Sequence, residues 1–141
     1  MSLRGGALPG QRRGDAAGLL LPLQVCQTWS GSAFTEQAVV AEPQIQVIVG
    51  TVETYINITE SGAESTQRLC GTCHTRLWNT NSARPGLAVI RAGTLDASPS
   101  LAPRAHIWTK RKQPWIMLDP DVPQWAEGAP AADFTAALTR G

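Results

Sequence analysis

The sequence predicts a mostly β, antiparallel single domain with one short C-terminal helix, and three observations carry that prediction. The chain has 141 residues and a mass of 15.0 kDa, enough for one hydrophobic core and too little for two. Its apolar and β-branched residues come in short runs: Ala38-Val39-Val40, then Ile45, Val47 and Val49 alternating with Gln44, Gln46 and Ile48, then Tyr55-Ile56-Asn57-Ile58. Between such runs stand the turn pairs Pro85-Gly86, Ser98-Pro99 and Asp119-Pro120.

Further strands are expected at residues 76–78, 87–90 and 105–109, where apolar residues recur between turn signals. Residues 1–25 hold neither a helical nor a strand period over a useful length and read as an irregular segment. Residues 26–125 form the β body, and 126–141 a tail. Within that tail, residues 130–140 predict a helix, because Pro130 suits a first turn, alanines follow, and Phe134 and Leu138 share a face at i,i+4. Such a helix would dock as a lid. No internal repeat and no strand-helix-strand alternation supports a nucleotide-binding α/β fold.

Composition excludes several functional classes. Charged residues are 16%, below the roughly 25% of an average soluble domain, so the surface relies on Ser, Thr, Gln and Asn, not on a charged tail. A formal net charge of +1 gives no basis for electrostatic capture of nucleic acid. The longest apolar run, from Ala16 to Leu23, contains Gly18 and Pro22 and falls short of the ~20 residues that span a bilayer. Arginines at 4, 12 and 13 precede it in the manner of a secretory signal, but no small-residue cleavage site follows. Three cysteines make an odd count, which argues against a disulfide framework and for a reducing, cytoplasmic setting.

The sharpest local motif is Cys70-Gly71-Thr72-Cys73. A C-x-x-C lets two thiolates meet one tetrahedral zinc at ~2.3 Å, with glycine admitting the tight knuckle. This is half a zinc site. An active redox dithiol would need a helix beginning at the first cysteine, whereas Leu77 and Trp78 continue into a strand; unligated thiols are the third reading. His74 follows Cys73 directly and reads as a surface histidine, because adjacent residues rarely both face one metal. His106 sits at strand spacing and reads as a hydrogen-bonded structural histidine, with catalysis as the weaker alternative. In Cys26-Gln27-Thr28-Trp29-Ser30-Gly31-Ser32-Ala33-Phe34 a cysteine leads into a small-residue loop flanked by aromatics. That loop could wall a pocket for a polar ligand, or be a turn pinned by buried rings. The five tryptophans most simply serve the core.

Taken in order, the Cys26 to Phe34 stretch, Cys70-Gly-Thr-Cys73 with Thr75-Arg76-Leu77, Arg91-Ala-Gly-Thr-Leu-Asp96, Ala105-His-Ile-Trp108 and Gln113-Pro-Trp115 closely resemble the glutathione-dependent formaldehyde-activating enzyme family. The resemblance covers residues 26–125. It implies an antiparallel, zinc-bearing, Mss-like β-tent and a carbon-sulfur lyase that condenses glutathione with formaldehyde to S-hydroxymethylglutathione. Glutathione or another small thiol and an aldehyde are the implied partners. Members hold a structural zinc with a C-x-C and a later C-x-x-C, which matches Cys70 and Cys73. A second zinc, implied to be catalytic, uses a C-H-C-x-x-C motif whose last cysteine matches Cys26, and the loop with Ser30, Gly31, Ser32 and Phe34 is implied to hold the thiol substrate.

The chain departs from this pattern. The C-x-C is absent, and Leu21, Pro22 and Leu23 stand where the second motif has cysteine, histidine and cysteine. Three cysteines remain where the pattern has seven. Three accounts follow: a shifted reading frame upstream of Cys26, a degenerate binding module without metal chemistry, or a zinc shared by Cys70 and Cys73 of two chains in a homodimer.

Overall fold

The computed structural model describes residues 3–4, 17–21 and 24–139. In chain order the strands are β1 (Leu3–Arg4), β2 (Ala17–Leu21), β3 (Thr35–Ala41), β4 (Gln46–Val47), β5 (Val52–Ile58), β6 (Glu64–Cys70), β7 (Arg76–Asn81), β8 (Leu87–Arg91) and β9 (Pro103–His106). Two helices, α1 (Gln24–Ser30) and α2 (Ala131–Thr139), flank them. One sheet has the order β5-β6-β7-β8-β3-β2-β9; its neighbours are antiparallel except for β2 and β9, which run parallel. The short β1 and β4 pair separately.

The mostly β, antiparallel expectation with a C-terminal helix therefore holds, and several local expectations are corrected. Residues 17–21 are not irregular: they pair with β3 on one side and β9 on the other. Strand formation there needs backbone partners on both edges, not an alternating pattern. Gly18 is required by the closeness of β9, since a Cβ at this position would stand 2.9 Å from the Ala102 carbonyl oxygen. Residues 1, 2, 5–16, 22 and 23, also assigned to the irregular segment, lie outside the described residues.

The alternation from Gln44 to Val49 yields only the two-residue β4, preceded by a 3-10 turn at Glu42–Gln44 that Pro43 starts. Val47, Ile48 and Val49 consequently stay exposed. By contrast β6, Glu-Ser-Thr-Gln-Arg-Leu-Cys, has no apolar alternation to announce it, yet it is held by β5 and β7 on both sides. The strand expected at 105–109 begins earlier and stops at His106; Trp108 takes a left-handed φ of 62° and turns the chain into a 3-10 segment at Thr109–Arg111.

The two faces of the sheet differ in chemistry. On one face Ala38, Val40, Leu77, Trp78, Ala88 and Ile90 form a buried apolar cluster, with Ile45, Val52, Cys70 and Leu95 packed against it. Leu77 and Trp78 can both join this face because a bulge opposite Arg68 and Leu69 breaks the two-residue period. On the other face Val39, Ala105 and Ile107 meet Ala137 and Leu138 of α2, with Cys26, Trp108, Trp125 and Phe134 around them. The predicted i,i+4 pair of the C-terminal helix is thus its docking stripe. Asp133 in the first turn favours the helix dipole. Because α2 packs on β9 and β2, it covers one end of this face and leaves the β5 to β8 end without a helical cover.

Candidate functional site

The open end of the second face is polar. Across it the register sets Tyr55 beside Gln67, Gln67 beside Asn79, Leu69 beside Arg76, and Arg91 beside Gln37. Thr35, Gln37, Ser65 and Gln67 are all buried. Burial of so many amides and hydroxyls is tolerable because they bond one another: Gln67 Nε2 donates to Ser65 Oγ at 2.7 Å, and Gln37 Nε2 to Thr35 Oγ1 at 3.1 Å. Trp29, Tyr55, Gln67, Leu69 and Arg76 line an open groove of ≈ 200 Å³ on this face.

Two guanidinium groups dominate its electrostatics. Arg76 lies over the Trp29 ring, 3.9 Å from its centroid, and donates through Nη2 to Gln67 Oε1. Burial, then the nearby charge of Arg91, pushes the Arg76 guanidinium down to about 10, and the negative form of Cys26 pulls the other way. Arg91 donates through Nη2 to Asn79 Oδ1 at 3.5 Å, while its Nη1 is buried with no hydrogen-bond partner. Burial lowers the Arg91 value, again opposed by Cys26. Among the described residues the ion pairs are His74 with Glu53 and Lys110 with Glu127, so neither Arg76, which lines the groove, nor Arg91, which lies outside its lining, has a carboxylate partner.

Cys26 is a half-buried free thiol on α1, one turn before Trp29. The residues expected to form a loop after it are partly helical: α1 runs through Ser30, whose hydroxyl donates to the Cys26 carbonyl at 2.7 Å and receives the Ser32 N–H at 3.2 Å. Gly31 takes a φ of 63°, which turns the chain toward β3. Ser30, Gly31 and Ser32 are exposed and Phe34 is half-buried; none of the four lines the groove, whereas Trp29 of the same motif does.

Cys70 and Cys73 lie elsewhere. Cys70 ends β6 on the apolar face, and residues 71–75 turn the chain into β7 through bonds from Cys70 N to Thr75 O and from His74 N to Cys70 O, both 2.9 Å. His74 holds a left-handed φ of 56°. Gly71 lets the turn approach Thr51 closely, since a Cβ there would press on the Thr51 side chain and stand 3.2 Å from its carbonyl oxygen. Cys73 is exposed, 3.2 Å from Thr75 Oγ1. Its thiol is drawn below the ordinary value by the Thr75 side chain first, then by the Thr75 backbone and the Cys70 thiol. The pair can offer one ion two sulfurs, and Cys26, packed on the opposite face, is not among them. Among the described residues no group of three or more Cys, His, Asp or Glu is placed to hold a metal. The donor set of one chain therefore does not fit either a four-thiolate zinc or a three-thiolate one.

His74 is exposed, as expected, with Nδ1 3.2 Å from Glu53 Oε2. His106 is 2% exposed, but the expected side-chain hydrogen bonds are absent: both ring nitrogens lack partners. Strand alternation turns its ring away from the face where Ala105 and Ile107 pack, hence away from the groove. The tryptophans are also not all core: Trp29 walls the groove and Trp115 is 68% exposed.

The architecture defines a small β domain whose polar, basic sheet face lies beside a helix bearing a free thiol. The model of the glutathione-dependent formaldehyde-activating enzyme family matches residues 23–111, and the chain belongs to that family. A search of curated proteins returned no match. Among the described residues no helix is long and apolar enough to cross a membrane.

Proposed function

We propose that the chain binds glutathione, or a closely similar thiol and its aldehyde adduct, in the groove lined by Trp29, Tyr55, Gln67, Leu69 and Arg76, as a family member without a self-contained zinc centre. The observation that supports this reading is the pair of carboxylate-free arginines on the open polar face beside Cys26. The zinc-dependent carbon-sulfur lyase reaction, glutathione plus formaldehyde, is the family's chemistry; at its catalytic ion this chain offers Cys26 alone. Binding is the function that these side chains support without further donors.

Glutathione at about 100 times its dissociation constant should stabilise the fold by ~2.7 kcal/mol, which a thermal-shift titration reads directly. An unmoved melting temperature at millimolar glutathione overturns the proposal. Formation of S-hydroxymethylglutathione above the spontaneous rate, lost in Cys26→Ser, would replace it with the lyase.

For zinc we propose a shared structural site in which Cys70 and Cys73 of two copies close one tetrahedron, a reading that the exposed turn supports because a second chain can reach it. Elemental analysis of metal-replete protein should find about half a zinc per chain. Cys73→Ser should release the ion and the dimer together. One zinc per chain, or none, refutes sharing.

A further inference from the structure

A guanidinium taken out of water without an anion is costly, because desolvation is offset only where an opposite charge or a full set of acceptors is present. Here two such groups share one face. Arg76 has an aromatic ring and one amide oxygen; Arg91 has one long bond to Asn79 and a buried Nη1 with nothing to donate to. The neighbouring groups on this face are mostly amides and hydroxyls with the Cys26 thiol; its carboxylate Glu53, in line with Leu69 and Arg76, is engaged by His74, and among the described residues neither arginine has an ion-pair partner. Burial first and the charge of Arg91 second lower the Arg76 guanidinium to about 10, still charged at neutral pH, so an anion placed between the two arginines would meet both.

We infer that Arg76 and Arg91 form a carboxylate clamp that draws an acidic end of the ligand into the groove, with the Nη1 of Arg91 as its selecting donor. The inference rests on the groove being the thiol site proposed above and names what that site selects: a small acid whose carboxylate matches the planar donor fork of arginine. Trp29 fixes the Arg76 plane from one side and Gln67 from its edge, so that group is oriented before the ligand arrives. Arg91, outside the groove lining, is fastened by Asn79 through one long bond, and its buried, partnerless Nη1 would have to turn toward Arg76 to meet the ligand.

The test compares three ligands, glutathione, its dimethyl ester and glutarate, by calorimetric titration against the full chain and its Arg91→Gln and Arg91→Lys variants. Glutathione affinity should fall at least tenfold in Arg91→Gln and recover only in part in Arg91→Lys, which keeps the charge but not the fork. The ester should bind the unaltered chain as weakly as glutathione binds Arg91→Gln. Should Arg91→Gln fail to fold, the ester comparison on the unaltered chain still decides. Equal binding of ester and acid, or an unchanged glutathione affinity in Arg91→Gln, overturns the clamp while leaving glutathione binding intact. Glutarate binding that depends on Arg91, with no binding of glutathione, keeps the clamp and removes the thiol reading; no binding of any of the three removes both.

Discussion

Trp78→Ala is expected to destabilise the fold by about 3–5 kcal/mol, the range for deleting a buried large aromatic side chain. Trp78 is 8% exposed and pairs with Arg68 on one side and Ile90 on the other, so it joins β6, β7 and β8 through one side chain. Ile90 in turn faces Ala38 on β3, and the apolar cluster has no second large ring to close over the gap. Against a typical domain stability of ~5–15 kcal/mol this is a large share. Urea unfolding followed by far-ultraviolet circular dichroism should show the midpoint fall with little change of slope. A shift below about 1 kcal/mol would mean that the cluster is not the principal core.

Acid should unfold the protein early, and His106 should be a principal reason. Burial lowers its ionisation below the ordinary value of 6.5, with Asp119 pulling in the other direction. The folded state therefore holds a neutral ring over a range where the unfolded chain already binds a proton. Stability from this group is complete above about pH 6.5 and is lost as pH falls toward the folded value, at up to ~1.4 kcal/mol per pH unit. With no acceptor or donor on either ring nitrogen, an added charge has no partner to meet it. His106→Phe should flatten the stability profile between pH 6.5 and 5 relative to the unaltered chain; parallel profiles would assign the acid lability to other groups.

The antiparallel β class was legible because β3, β5 and β8 carry apolar residues at strand spacing, and the terminal helix because Phe134 and Leu138 mark its docking stripe. What escaped is polar. β6 gives no hydrophobic signal since Ser65 and Gln67 are buried against other hydrogen-bonding groups instead of oil. The family motifs containing Cys26, Arg76 and Arg91 were readable, but not that they converge. That convergence depends on β7 lying next to β8 and on Trp29 reaching from α1 to Arg76, which periodicity does not encode. The hint for Arg91 was an arginine continuing the inward alternation of Leu87 and Val89. Cys70 and Cys73 share one turn, as their spacing requires; their separation from Cys26 comes from the two faces of a single sheet, a distinction that spacing along the chain cannot supply.

The hydrophilic face sets engineering of this protein against itself. Exchanging Arg91, a buried cation with no ion-pair partner among the described residues, for a hydrocarbon side chain of similar bulk would harden the domain toward heat, as replacement of interior ionic groups often does. The same exchange would erase the proposed carboxylate clamp. On that proposal heat tolerance and ligand capture are traded on one side chain, and variants selected only for a high melting temperature should drift toward inert scaffolds.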